Sequence, residues 1–322
     1  MERVGIEYIK KLAVGQAQNF EAATGCTVLI CPEGAVGGVD VRGGSPGTRD
    51  TDALNPINNR KQVHAVLLSG GSSFGLDAAG GVMRFLEERG IGRSAGVTVV
   101  PNVCAAILFD LKCGDFRVRP DAEMGRAACE NAFKHEPFRS GSFGAGTGAT
   151  VGKARGRAFA MKGGVGSCAF RHGELIVGAV MAVNCVGDIV DGATGRIIAG
   201  TRADDGRSFA GSEAVILDGY RELADIISGN TVIGCVVTNA ALDKAQATKL
   251  ASLGQNGIAR SVRPAHTVYD GDTVFTLCTG EVPATLDAVG ILAAAAVEGA
   301  IADAVRSASS LCGYPSVADL AK

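Results

Sequence analysis

SGNTVIGCVVTNA, residues 228–240, passes within three residues from a small polar turn, Ser228-Gly229-Asn230, into a Val/Ile/Cys run of strand character. Thr231 stands on the boundary. Two readings are open: Thr231 simply starts a strand, or the chain is cut in front of it and it becomes a catalytic N-terminus. Asn-Thr is a common dipeptide, so its presence alone decides nothing. The chemistry of the second reading is nevertheless specific. The Thr231 hydroxyl can attack a strained Asn230-Thr231 peptide, the acyl group shifts from N to O, and water then hydrolyses the ester. Gly229 supplies the unusual dihedrals that such a bond requires. A freed Thr231 carries nucleophile and base on one residue, because an α-amine with a reference pKa of about 7.7–8 suits a general base at neutral pH.

The rest of the chain narrows the classes of protein this can be. Its 322 residues are 47% hydrophobic, enough to bury a substantial core. Net charge is −2 and no long basic run occurs, which argues against a nucleic-acid partner. Aromatics are only 5% and Trp is absent, so base-stacking platforms are not expected either. The N-terminal MERVGIEYIKKLAVGQ interleaves charges with apolar residues, unlike a signal peptide. ELIVGAVMAVNCVGDIV and AVGILAAAAVEGAIADAV are expected to be broken by charge before the roughly 18–20 residues of a membrane helix. The expectation is a cytoplasmic protein with no membrane partner. Ten cysteines are scattered singly with no C-x-x-C pair, which favours reduced, buried thiols over a zinc site or disulfides. No metal and no cofactor is expected.

Short runs rich in Val and Ile predict strands at 26–31, 64–69, 96–100, 174–183, 231–237 and 273–278. Helical patterns fall at 75–89, 119–134, 242–256 and 284–307, the last rich in alanine and spaced to pack on a sheet. Helices and strands cluster rather than alternate, which favours α+β over a regular βαβ array. No proline- or serine-rich linker divides the chain, so one domain spanning 1–322 is expected.

Four further motifs carry chemistry. GSFGAGTGATVGKARG (141–156) looks like a phosphate loop, but Thr147 occupies the glycine position and Ala154 the hydroxyl position. What remains is a glycine-rich turn presenting Lys153. LSGGSSFGLDAAGG (68–81) follows an apolar strand and opens a helix, so Gly70, Gly71 and Ser72 either form a close-packed turn or offer N–H groups to an anion or oxyanion. YDGDTVF (269–275) sets Asp270 and Asp272 two apart, on one side of an extended chain, or in an ordinary Asp-Gly turn. Asn184 interrupts an apolar strand, so its amide is either satisfied structurally or placed to donate to a ligand. His64, His135, His172 and His266 have no triad context.

Taken in order, GGSSFGLDAAGG, TVGK, AVNCVGDIVD, GNTVIGCVVTNA and HTVYDGDTVFTL resemble the L-aminopeptidase/D-esterase family. That family groups with β-peptidyl aminopeptidases, nylon-oligomer hydrolases and, more distantly, ornithine acetyltransferases. The resemblance spans about residues 15 to 305. It implies an α+β fold layered α-β-β-α, and a self-processing N-terminal-nucleophile hydrolase cut into 1–230 and 231–322. Thr231 matches the nucleophile, Asn230 the residue before the cut, Asn184 an amide at the oxyanion and Lys153 a lysine near the nucleophile. Asp270 and Asp272 match an acidic pair of the nylon-oligomer hydrolases, where aminopeptidase relatives carry Ser and Glu. Phe109 departs from a tyrosine common in relatives, placing a ring without its hydroxyl beside the substrate. A small peptide or amide substrate and a homo-oligomer, a tetramer by resemblance, complete the expectation. Two competing readings stand beside it: acyl transfer to an amine, as in the ornithine acetyltransferases, and an unprocessed binding protein without activity.

Overall fold

The structure, a computed structural model, describes residues 1–220 and 229–320; Ser228, which opens the turn before Thr231, lies outside them. Ten strands form the main sheet system. They are β1 (Glu2–Val4), β2 (Ala13–Asn19), β3 (Thr24–Val41), β4 (Thr48–Arg49), β5 (Val63–Ser69), β6 (Val103–Ile107), β7 (Gly164–His172), β8 (Leu175–Asn184), β9 (Thr231–Ala240) and β10 (Thr273–Val282). Their order is β1-β7-β8-β9-β10-β3-β5-β6-β4, with β2 also paired to β3.

β3 joins two layers. Its first half, Cys26 to Ile30, pairs with β5 and β2, whereas Val36 to Val41 pairs antiparallel with β10. The register shifts between Ile30 and Ala35, and such an irregularity bends a strand so that it can serve both layers.

Period-two alternation then sorts the side chains. On β9, Ile233, Cys235 and Val237 meet Val66 and Leu68 of β5 in the core between the layers. Val232 and Val236 face the other way, toward α4 (Lys244–Ser261) and α5 (Leu286–Arg306), which follow the short α3 (Ser212–Asp218). Ala65 and Leu67 likewise face α1 (Ala78–Glu87) and α2 (Ala122–Phe133). The result is α-β-β-α, as the resemblance implies.

Three expectations need correction. GVTVV contributes only Val99–Val100, in a two-residue ladder with Arg93–Ser94, because Gly96 turns the chain at φ +85°. The sheet strand is the following VCAAI, whose alanines hide its β character. β2 and β7, with few large apolar residues, were not expected at all. Finally, α5 is long and apolar enough to cross a membrane, contrary to the expectation from its charges. In this fold most of that helix is buried against β7, β8 and α4.

Candidate active site

Asn184 ends β8 and Thr231 begins β9, and the two are register partners across the antiparallel pair. On the other side β9 runs parallel to β10, and just ahead of that pairing Asn230 bridges Asp270. Strand pairing thereby brings Asn184, Asn230, Thr231, Asp270 and Asp272 together at one end of the sheet. All are buried: Thr231 is 4% exposed, Asn184 0%, and each aspartate 1%.

The amide of Asn184 is fully employed, as burial requires. Its Oδ1 accepts the Thr150 N–H at 2.9 Å and the Lys153 ammonium at 3.1 Å. Its Nδ2 donates to the carbonyls of Phe109 at 3.0 Å and Gly229 at 3.3 Å. Donors at one end and carbonyls at the other fix which way the amide points. Lys153 donates to the Asn184 main-chain carbonyl as well, at 2.8 Å. Its partners are therefore the oxygens of Asn184, while the Thr231 hydroxyl donates to the carbonyl of Asn230. Burial pushes the Lys153 ammonium down to about 8, with Cys185 and Asp270 pulling the other way.

Gly229 holds φ +90°, and a Cβ there would lie 2.7 Å from the Phe109 ring. Only glycine meets both conditions. Phe109 thus packs against the turn before Thr231, and its carbonyl anchors Asn184. Phe109, Lys112, Thr150, Lys153, Arg157 and Tyr314 line a cleft that reaches Gly229.

The two aspartates differ in role. Asp272 is a brace: Oδ1 accepts the Val232 N–H at 2.7 Å, and Oδ2 takes the His266 N–H at 3.1 Å and lies 2.8 Å from His266 Nδ1. Asp270 uses only Oδ2, which accepts the N–H of Thr267 at 2.9 Å and its hydroxyl at 2.6 Å. Its Oδ1 is buried without a hydrogen-bond partner among the described residues. Burial, and then the charge of Asp272, raise the Asp270 carboxyl to about 6.

The turn at Gly70, Gly71 and Ser72 does hold an anion, but an internal one. The Gly71 N–H donates to Asp110 Oδ1 at 2.7 Å, and the Ser72 N–H donates to the Leu108 carbonyl at 3.0 Å. A Cβ on Gly70 would stand 2.0 Å from Asp110 Oδ2. The turn therefore backs the Phe109–Asp110 segment of the cleft wall.

Sequence reasoning missed three contributors. His266 opens the HTVYDGDTVFTL block but has no triad context, and its partner is Asp272. The Gly271 N–H donates to the Asn230 carbonyl at 3.0 Å. Lys162, fully buried, donates to the carbonyls of Thr147 at 2.9 Å and Ala149 at 2.6 Å, shaping the turn that offers the Thr150 N–H to Asn184. Among the described residues no group of three or more His, Cys, Asp or Glu side chains converges as metal ligands.

Fold and family together identify a layered hydrolase of peptide or other amide bonds. The chain belongs to peptidase family S58, whose family model matches residues 3–317. It is 43% identical over 318 residues to an uncharacterized aminopeptidase of Mycobacterium leprae, covering 91% of this chain and 85% of that one. It is 33% identical over 276 residues to the 6-aminohexanoate-oligomer endohydrolase of Kocuria sp., covering 84% of this chain and 74% of the relative. In fold it is similar to the L-aminopeptidase D-Ala-esterase/amidase of Ochrobactrum anthropi, described as a variant of the N-terminal-nucleophile hydrolase fold. The TM-score is 0.69 at 18% identity, over 94% of this chain and 86% of that one.

Proposed function

We propose that the protein cuts its own Asn230-Thr231 peptide and then hydrolyses amides with Thr231 as an N-terminal nucleophile. The observation that carries this reading is the placement of the Thr231 hydroxyl against the Asn230 carbonyl, at a buried strand end where Gly229 and Asn184 fix the approach. In the cut, Thr231 Oγ attacks the Asn230 carbonyl carbon, the C–N bond breaks, and the hydroxyl proton ends on the departing nitrogen. Water then hydrolyses the Asn230 ester and frees the α-amine.

Turnover repeats the attack on a substrate. The neutral α-amine takes the hydroxyl proton and passes it to the leaving amine, an acyl-enzyme forms, and water releases the acid. Asn184 Nδ2, no longer held by the Gly229 carbonyl once the new C-terminus withdraws, donates to the substrate oxyanion. Lys153 anchors the other end of that amide and lowers the pKa of the neighbouring amine. Asp270 Oδ1 orients the freed amine. Short peptides or ω-amino-acid amides with a free amino end are the proposed substrates, supported by the names of the relatives and by the Asp-Gly-Asp pair. Resemblance supports a homo-tetramer, and the scattered, unpaired cysteines support a cytoplasmic setting.

Intact mass of wild type beside Thr231→Ala tests the reading. Fragments of about 23 and 9 kDa in wild type, from a chain of 32.6 kDa, with one uncut chain in the mutant, are expected. Wild type that stays whole over days would overturn it. Release of amine from 6-aminohexanoate oligomers and from amino-acid anilides then separates the substrate classes.

A further inference from the structure

We infer that the main-chain N–H of Gly271 is the oxyanion donor of the self-cleavage step. The inference rests on the proposal that Thr231 is the nucleophile. The Asn230 carbonyl is the group that would take negative charge as Thr231 Oγ attacks, and its N–H partner is Gly271, at 3.0 Å. Asn184 is aimed one peptide upstream, at the Gly229 carbonyl, so the two donors serve different oxygens before the cut.

The donor is held in place before any charge develops. In a trans peptide the C=O and N–H point in opposite directions, so a hydrogen bond at each end fixes the plane. The Asp270–Gly271 peptide has both: the Asp270 carbonyl accepts the Ser45 N–H at 2.8 Å while the Gly271 N–H meets Asn230. The Asp272 carbonyl, next along, accepts from Arg42 at 2.9 Å and Gly43 at 3.2 Å. Such prior fixation is what makes a main-chain donor effective, because nothing need reorganise as the oxyanion forms. Residue 271 also needs a bare backbone. A Cβ there would lie 3.0 Å from Thr231 Oγ1 and 2.9 Å from the Ser45 carbonyl.

As Oγ bonds to the Asn230 carbon, the C=O electron pair moves onto oxygen and toward the Gly271 N–H. When the pair returns, the C–N bond to Thr231 breaks and the nitrogen keeps its electrons and the former hydroxyl proton. The released Gly271 N–H is then left beside Thr231, facing the position of an incoming substrate carbonyl.

The decisive variant replaces the Asp270–Gly271 amide by an ester, with glycolic acid at 271 introduced by semisynthesis, which exchanges the N–H for an oxygen and leaves every side chain in place. Processing followed by intact mass is expected to slow by about 10²–10³-fold, the range for loss of one oxyanion donor. The factor should be the same across pH 6 to 8, with an unchanged far-UV spectrum and oligomeric state. An ester chain that folds and is cut within about threefold of the wild-type rate, where one donor should count for far more, removes Gly271 from the step. Hydrogen exchange supplies a second readout without the ester. The Gly271 amide should be protected in uncut Thr231→Ala and lose that protection in processed wild type. Equal protection in both would also overturn the inference. Wild type that is never cut removes instead the proposal that Thr231 is the nucleophile, whatever the ester does.

Discussion

Lys153 grips Asn184 by two oxygens, its ammonium lying 2.8 Å from the main-chain carbonyl and 3.1 Å from the side-chain one. The pair is what keeps the amide nitrogen turned toward the Gly229 carbonyl. Lys153→Met removes a charged donor, a loss of about 1.5–3 kcal/mol, and should slow both processing and substrate hydrolysis by roughly 10–100-fold. Asn184→Asp should be worse, because a carboxylate oxygen would then face the carbonyls of Phe109 and Gly229. Time courses of intact mass and initial rates on an amide substrate check both.

The pH profile of hydrolysis should be a bell. Its acidic limb lies near 6, where the buried Asp270 ionises, and its alkaline limb near 8, where Lys153 loses its proton. Lys153→Arg, permanently charged, should flatten the alkaline limb, and Asp270→Asn should lose most activity and keep only the acidic fall set by the Thr231 α-amine.

Stability should run against that bell. The folded state binds the Asp270 proton more tightly than the unfolded chain does, so stability falls as pH rises from 3.8 to about 6. The Lys153 proton is held more tightly in the unfolded chain, so stability recovers only as pH rises from about 8 to 10.5. The fold is thus least favoured by these two groups between those limits, where the site works best. Asp270→Asn should stabilise the fold at pH 7 by on the order of 1–2 kcal/mol, read as a higher melting temperature. Thermal melts across pH show whether it does.

Gly229→Ala meets two obstacles, a left-handed φ and the Phe109 ring. The backbone part alone costs about 1–2 kcal/mol. Processing should slow at least tenfold, and Phe109→Ala in the same chain should recover only the steric share. A double mutant restored to the wild-type rate would show that the dihedral is unimportant.

Asp272→Ala strands the buried Val232 N–H and the Nδ1 of His266. The expected cost is about 2–4 kcal/mol. Asp272→Asn keeps one acceptor and should fall between Ala and wild type. Denaturant midpoints for the three proteins test that order.

Much of the fold was legible because its central strands are dense in β-branched residues, as TVIGCVV shows, and because α5 is an unbroken alanine-rich stretch. Asn184 stood out as one polar residue in an apolar strand, and its burial is total. What sequence could not show is where long-range pairing sends ordinary residues. Lys162 looks like a surface lysine until the turn at 144–149 closes over it. Gly271 meets Asn230 through its main chain, which no side-chain pattern can announce. The Gly70–Ser72 turn reads in sequence either as close packing or as an anion holder, and the partner that decides, Asp110, lies too far along the chain for sequence to pair them.

β9 lies between β8 and β10, so a cut before Thr231 leaves a piece interleaved rather than appended. Its strands β9 and β10 sit between β8 and β3 of the larger piece, and α4 and α5 cover them. Once separated, neither piece owns a complete sheet, and reassembly is a meeting of two chains instead of the folding of one. Processing would therefore make unfolding a one-way event. The working lifetime of the mature protein would be set by how slowly it opens, and recovery after heating would depend on protein concentration.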